Sequence, residues 1–268
     1  FFEKQNRDPH KPFLLIFDEI HKYQRWKNYL KGAYDAYQDE FRFFVTGSGR
    51  LDLFKKGGDS LFGRYFSVPL FPLSLGELRG KLTTLAEFRK SLEDPPASSK
   101  ESSSNYDRLF HFSGFPEPYV RGTKEFYYRW FSERKTLLVR QEIRDASAIR
   151  EISLLEHLAH LIPERIGNPL SLNGLKEDIG VAFETIRSWL LLLEQFYYLF
   201  RLSPFTGRLT RTLRKETKAY LFDWVEIDNE ALRFENLVAF HLLKAVKIWK
   251  SMGQPTIELN YLRDKEKR

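Results

Sequence analysis

Phe13-Leu-Leu-Ile-Phe-Asp18-Glu19 is an apolar run that stops on two adjacent carboxylates. Five large apolar residues in succession suit a strand covered on both faces of a parallel sheet. Open α/β sheets bind ligands beyond the carboxyl ends of their strands, where Asp18 and Glu19 would sit. Paired acids at such an edge suit a divalent cation and an activated water. A buried strand that merely meets a polar loop would read the same way, so the neighbouring sequence has to decide.

Phe41-Arg-Phe-Phe-Val-Thr46-Gly47-Ser48-Gly49-Arg50 repeats the design, a β-rich run ending in hydroxyls and glycines. Between the two runs, Trp26, Tyr29, Leu30, Ala33, Tyr34 and Tyr37 recur at helical spacing, which predicts an amphipathic helix over Gln24–Tyr37. Strand, helix and strand with short links form a right-handed parallel crossover. A third run, Tyr65-Phe-Ser-Val-Pro-Leu70, follows Gly63-Arg64 and predicts the next strand. Three strand ends offering Asp-Glu, Thr-Gly-Ser and Gly-Arg predict a nucleotide site on one sheet edge.

The stretch Phe13–Leu78 resembles the AAA+-type P-loop ATPases of bacteria and archaea that carry an uncharacterised C-terminal domain. The likeness rests on Phe17-Asp18-Glu19-Ile20, Val45-Thr46-Gly47-Ser48, Leu61-Phe-Gly63-Arg64-Tyr65 and Leu70-Phe-Pro72-Leu-Ser-Leu-Gly-Glu77-Leu78. It implies ATP and Mg²⁺ as cofactors, with Asp18 as the Mg²⁺ carboxylate of a Walker B element and Glu19 orienting the attacking water. Thr46 or Ser48 would occupy the sensor position near the γ-phosphate. Arg64 would be a sensor or an arginine finger, unless it only pairs with a carboxylate.

No Gly-x-x-x-x-Gly-Lys-Ser/Thr occurs in the chain, so no motif supplies the backbone cradle and lysine for the β- and γ-phosphates. The resemblance places that loop upstream of the Walker B strand. It therefore implies a fragment, with Phe1–Lys11 the tail of a preceding helix, that binds ATP poorly by itself. Asp18-Glu19-Ile20-His21 also matches a helicase DExH box, but no companion helicase motif is present and His21 reads as a loop residue.

Composition excludes several classes. The 268 residues allow two domains, and the absence of cysteine removes disulfide scaffolds, thiol nucleophiles and cysteine-ligated metals. No apolar stretch reaches the roughly 18 residues a membrane helix needs, and no signal-like start is present. A cytoplasmic protein is the expectation. The six histidines lack metal-ligand spacing with a supporting acid.

Asp94-Pro-Pro-Ala-Ser-Ser-Lys-Glu-Ser-Ser-Ser-Asn105 is the low-complexity segment and predicts a flexible surface loop interrupting a helical lid. Ser113-Gly-Phe-Pro-Glu-Pro118 predicts a turn, and Glu125–Ile149 a long helix. Further on, Ser171–Gly180 and Val181–Glu194 read as two helices around a glycine turn, with β-like runs at Tyr197–Leu202 and Lys218–Asp223. That order predicts a winged helix, and the resemblance implies the same. Arg201, Arg208, Arg211, Arg214, Lys215 and Lys218 face the single acid Glu216 in the expected wing, where duplex DNA phosphates would bind. Thr185, Arg187 and Ser188 are the candidate base readers. The alternative is a winged helix that docks domains.

After Asn229, a striped helix and the run Ile257–Leu262 predict the start of an α/β module. The resemblance implies a nuclease-like module with Glu235 as its first acid, cut short at Arg268. The expected fold is thus α/β: an incomplete AAA+-like P-loop parallel sheet (residues 1–80), a helical lid or linker (81–150), a winged helix (151–226) and a partial α/β module (227–268).

Overall fold

The computed structural model describes residues 12–23, 25–47, 63–81, 83–95, 97, 100–144, 147, 149–205 and 216–262. The chain divides into two compact units at Pro69/Leu70. It is mixed α/β: a small parallel pair in the first unit, then mostly helices and a small antiparallel pair.

In the first unit, β1 (Phe13–Phe17) runs parallel to β2 (Phe41–Val45), in register from Phe13 opposite Phe41 to Phe17 opposite Val45. Helix α1 (Trp26–Tyr37) forms the crossover. Side chains alternate across a pleated strand, so α1 covers the face bearing Phe17, Phe41 and Phe43. There the Phe17 and Tyr29 rings meet edge to face at 5.8 Å, and Tyr37 meets Phe41 at 6.1 Å. Ile20, Trp26 and Leu30 complete this small core.

The opposite face carries Leu14, Ile16 and Phe44, all more than half exposed. The expectation of a strand covered on both faces is corrected, because α1 is the one helix longer than a turn among the unit's described residues. The third parallel strand expected at Tyr65–Leu70 is not formed either. Those residues adopt no strand, and Phe66 and Leu70 are each 99 % exposed. β propensity supplies no hydrogen bonds without a neighbouring strand, and Pro69 lacks the N–H that a ladder would use.

The second unit is built around β3 (Leu199–Leu202) and β4 (Lys218–Leu221), an antiparallel pair. On one face, Leu199, Ala219 and Leu221 join a core made with α7 (Ile152–Leu161), α8 (Leu172–Ile179) and α9 (Phe183–Gln195). On the other, Phe200, Leu202, Tyr220 and Phe222 join Leu109, Phe110, Trp224, Leu237 and Phe240. Helices α4 (Lys100–Phe112) and α10 (Glu230–Ser251) supply much of that second core.

Local sequence sets several boundaries. Thr84 and Glu87 form a reciprocal capping box on α3 (Leu85–Glu93), after the single turn α2 (Leu75–Leu78). Ser171 Oγ accepts the Gly174 N–H at 3.2 Å to start α8, which stops at Gly180 in the left-handed region (φ 77°). Pro116 opens α5 (Pro116–Arg121), and α6 (Lys124–Leu137) continues into a π-helical turn, Leu138–Ile143. Gly114 has no room for a side chain: an added Cβ would lie 2.7 Å from both the Trp224 ring and the Leu73 carbonyl oxygen.

Two further expectations are corrected. The serine-rich segment is helical from Lys100 onward, because α4 buries Leu109 and Phe110 and stacks Tyr106 on Phe110 at 5.7 Å. Tertiary burial overrides weak local propensity there. The run Ile257–Leu262 forms no strand among the described residues; its β pairing is an isolated parallel bridge, Pro204 with Tyr261.

Candidate functional site

The parallel register brings the ends of β1 and β2 side by side, so Asp18 and Thr46 are neighbours. The Thr46 hydroxyl donates to Asp18 Oδ1 and accepts the Glu19 backbone N–H at 3.2 Å. Thr46 N–H donates to the Phe17 carbonyl at 2.8 Å, extending the ladder one residue past β2. One hydroxyl thus ties together both acids of the pair. Asp18 is exposed and Glu19 half-buried.

Glu19 adopts the left-handed region (φ 50°, ψ 36°) and opens a short 3-10 turn, Ile20–Lys22. That conformation costs a non-glycine residue about 1 kcal/mol. It turns the chain out of the strand and into that turn. Lys22 Nζ lies 3.4 Å from a Glu19 carboxyl oxygen, but the pair is too exposed to anchor the turn.

Arg64 Nε donates to Asp35 Oδ1 on α1 at 3.0 Å. Its guanidinium is thus engaged by a carboxylate, and Asp35 is the partner that sequence reasoning did not single out. Ser48 lies outside the described residues, as do Arg208, Arg211, Arg214 and Lys215 of the expected wing. Thr185 and Arg187 sit in the first turns of α9, where Arg187 meets Glu184 at 3.4 Å on the surface. Glu235 accepts from Lys218 Nζ at 3.1 Å and from the Tyr220 hydroxyl at 2.9 Å, so it braces α10 against β4.

A second acidic pair, Asp223 and Glu226, follows β4 and was missed in the sequence. Both side chains are almost fully enclosed, and burial is the largest cause of the rise in their carboxyl pKa values, Glu226 to about 7. The signal was present: Tyr220-Leu-Phe-Asp223 ends an apolar run on an acid, as Ile16-Phe17-Asp18 does.

Hard oxygen donors, one carboxylate and one hydroxyl, fit Mg²⁺, which takes one or two carboxylates and completes its shell with water and phosphate. Among the described residues no cluster of three or more ligating side chains forms an all-protein metal cage. The Asp18–Thr46 edge is therefore compatible with Mg²⁺ brought in by a phosphate ligand. No helix among the described residues is long and apolar enough to cross a membrane.

Residues 1–79 match the family model of the AAA domain. This AAA domain contains the whole Asp18–Glu19–Thr46 cluster and Arg64. Residues 103–224 match a second model, described as a domain of unknown function (DUF8612). That match ends on the fully buried Trp224, beside Asp223. No curated protein and no solved structure matches the chain. An AAA domain over residues 1–79 suggests an ATPase-related protein that uses ATP and Mg²⁺.

Glu19→Gly should stabilise the first unit by about 1 kcal/mol, because glycine takes positive φ without the Cβ penalty. Urea unfolding of variant and parent checks this. A Glu19→Gly protein that is less stable than the parent would show that the carboxylate contributes more than the conformation costs.

Proposed function

We propose that the β1–β2 edge is the Mg²⁺-binding and hydrolytic part of an ATPase site. The observation that carries this is the Thr46 hydroxyl clasping Asp18 while holding the Glu19 backbone beside it. Asp18 would hold Mg²⁺, whose bound charge stabilises that developing on the phosphates. Glu19, freed from the strand axis by its left-handed backbone, would accept a proton from the attacking water. Thr46 would report the γ-phosphate by exchanging its bond to Asp18 for one to phosphate oxygen. Arg64 would reach phosphate only after release from Asp35.

The chain contains no phosphate-loop motif, so we propose that it does not turn over ATP unaided. Mn²⁺ titration followed by electron paramagnetic resonance tests the metal assignment without needing turnover. Asp18→Asn should weaken Mn²⁺ binding in the presence of ATP by about tenfold or more. Glu19→Gln should leave it within about twofold, while lowering hydrolysis about 100-fold or more wherever a phosphate loop is supplied. Unchanged Mn²⁺ affinity in Asp18→Asn would remove the assignment.

A second reading concerns residues 151–226. Helices α7, α8 and α9, then the β3–β4 pair, with an isolated antiparallel bridge from Pro169 to Lys218, have the element order of a winged helix. We propose that the segment is one, and that any duplex contact runs through phosphates. Arg208, Arg211 and Arg214 changed together to alanine should then flatten the salt dependence of duplex affinity, by up to about 2.7 in log–log slope. The docking alternative, favoured by the burial of both faces of the β pair, predicts no such change.

A further inference from the structure

Glu226 lies in the 3-10 turn Trp224–Glu226 after β4, where α6, α7 and the segment entering β3 converge. The Tyr198 hydroxyl stands 2.7 Å from Glu226 Oε2 and also 2.7 Å from the Ala159 carbonyl oxygen on α7. A phenol has one proton to give, and both neighbours are acceptors when the carboxyl is ionised. One of these two short contacts would then set lone pair against lone pair. A proton on Oε2 resolves both: Oε2–H donates to the Tyr198 oxygen, and Tyr198 donates to Ala159.

Glu226 Oε1 gives a second, independent indication. It is the one buried side-chain oxygen or nitrogen among the described residues without a hydrogen-bond partner. An unpaired oxygen of a neutral carboxyl is far less costly to bury than one sharing a full negative charge.

The groups facing Glu226 come from every element around it. Lys135 Nζ on α6 lies 3.3 Å from Oε2, and both side chains of this pair are almost fully enclosed. Arg134 acts at longer range on Glu226 and Asp223, both favouring ionisation. Asp223 opposes it and is itself held by the Tyr127 hydroxyl at 3.2 Å, by Ser113 and by the Val225 N–H. His160 on α7 is kept neutral-leaning by burial and by Lys135. Burial outweighs the single lysine, and the carboxyl is pushed up to about 7.

We propose that Glu226 carries a proton in the folded protein near neutral pH, and that the Ala159–Tyr198–Glu226 chain is a pH-operated latch joining α7 to the β3–β4 pair. Deprotonation breaks one of its two links. Because the folded carboxyl keeps its proton to higher pH than the unfolded one, this contribution to stability is present at low pH and lost as pH rises towards the raised value. His241 acts in the opposite sense. Its Nε2 accepts the Leu75 N–H at 3.1 Å, its Nδ1 faces the Leu237 carbonyl oxygen at 2.8 Å, and burial lowers its pKa.

The test uses the full chain with glutamate labelled at the side-chain carboxyl carbon, titrated by NMR. One glutamate signal should titrate near neutrality, against an ordinary value of ~4.3, and vanish in Glu226→Gln. The folded-to-unfolded ratio of Glu226→Gln relative to the parent should rise on the order of 100-fold between about pH 5 and 8, a difference from which His241 cancels. Amide exchange in α7 and around Tyr198 should quicken above the midpoint in the parent and not in the variant. All glutamates titrating in the ordinary range would overturn the proposal, and the parent alone decides this even if the variant does not fold. A neutral-range titration with unchanged amide exchange would also overturn it, since the acid would then latch nothing.

Discussion

Two strands of four residues each, β3 and β4, are walled on both faces, and the second unit depends on that. Leu199, Ala219 and Leu221 point into the core of α7–α9, while Phe200, Tyr220 and Phe222 point into the core of α4 and α10. A side-chain period of two makes this possible, because one strand feeds two cores with alternate residues. Each fully buried large side chain contributes about 1.5–3 kcal/mol, so neither core could lose the pair and stay folded. Asn236 on α10 extends this wall. Its amide accepts the Leu221 N–H at 2.7 Å and donates to the Leu221 carbonyl at 2.8 Å, standing in for the next strand.

The same principle explains why the two units differ in character. The pair β1–β2 is covered by α1 on one face and leaves Leu14, Ile16 and Phe44 exposed on the other. Its strand ends are tied by one hydroxyl, Thr46, and its turn residue Glu19 is strained. Asp18 there is exposed and Glu19 half-buried. In the second unit the acids Asp223 and Glu226 are sealed among aromatics, and their energetics are governed by desolvation rather than by reach. The two acidic strand ends look alike in sequence and differ in what the fold does with them.

Much of this was legible because side-chain periodicity is a local property. The runs ending at Asp18 and Thr46, the helix between them, and the two helices before β3 all follow from it. The run at Tyr65–Leu70 misled, because its composition specifies extended backbone and cannot supply a partner strand. The serine-rich segment misled in the other direction: Leu109 and Phe110, just beyond it, draw it into α4 by packing in one core with Trp224 and Phe240. At the site, the acid pair stood out, whereas the left-handed backbone of Glu19 has no signature in a Glu codon. The buried links Lys135–Glu226 and Tyr127–Asp223 join residues more than 90 positions apart, and no local pattern reports such pairs.

The central claim is that the β3–β4 pair makes one cooperative body of two cores. Native-state hydrogen exchange on Asn236→Leu tests it most directly, since this change removes both bonds to Leu221 at a cost of about 3 kcal/mol. Amides in α9, such as Leu190, and in α10, such as Phe240, should lose protection together and by the same free energy. Loss confined to α10, with α9 unchanged, would contradict the account.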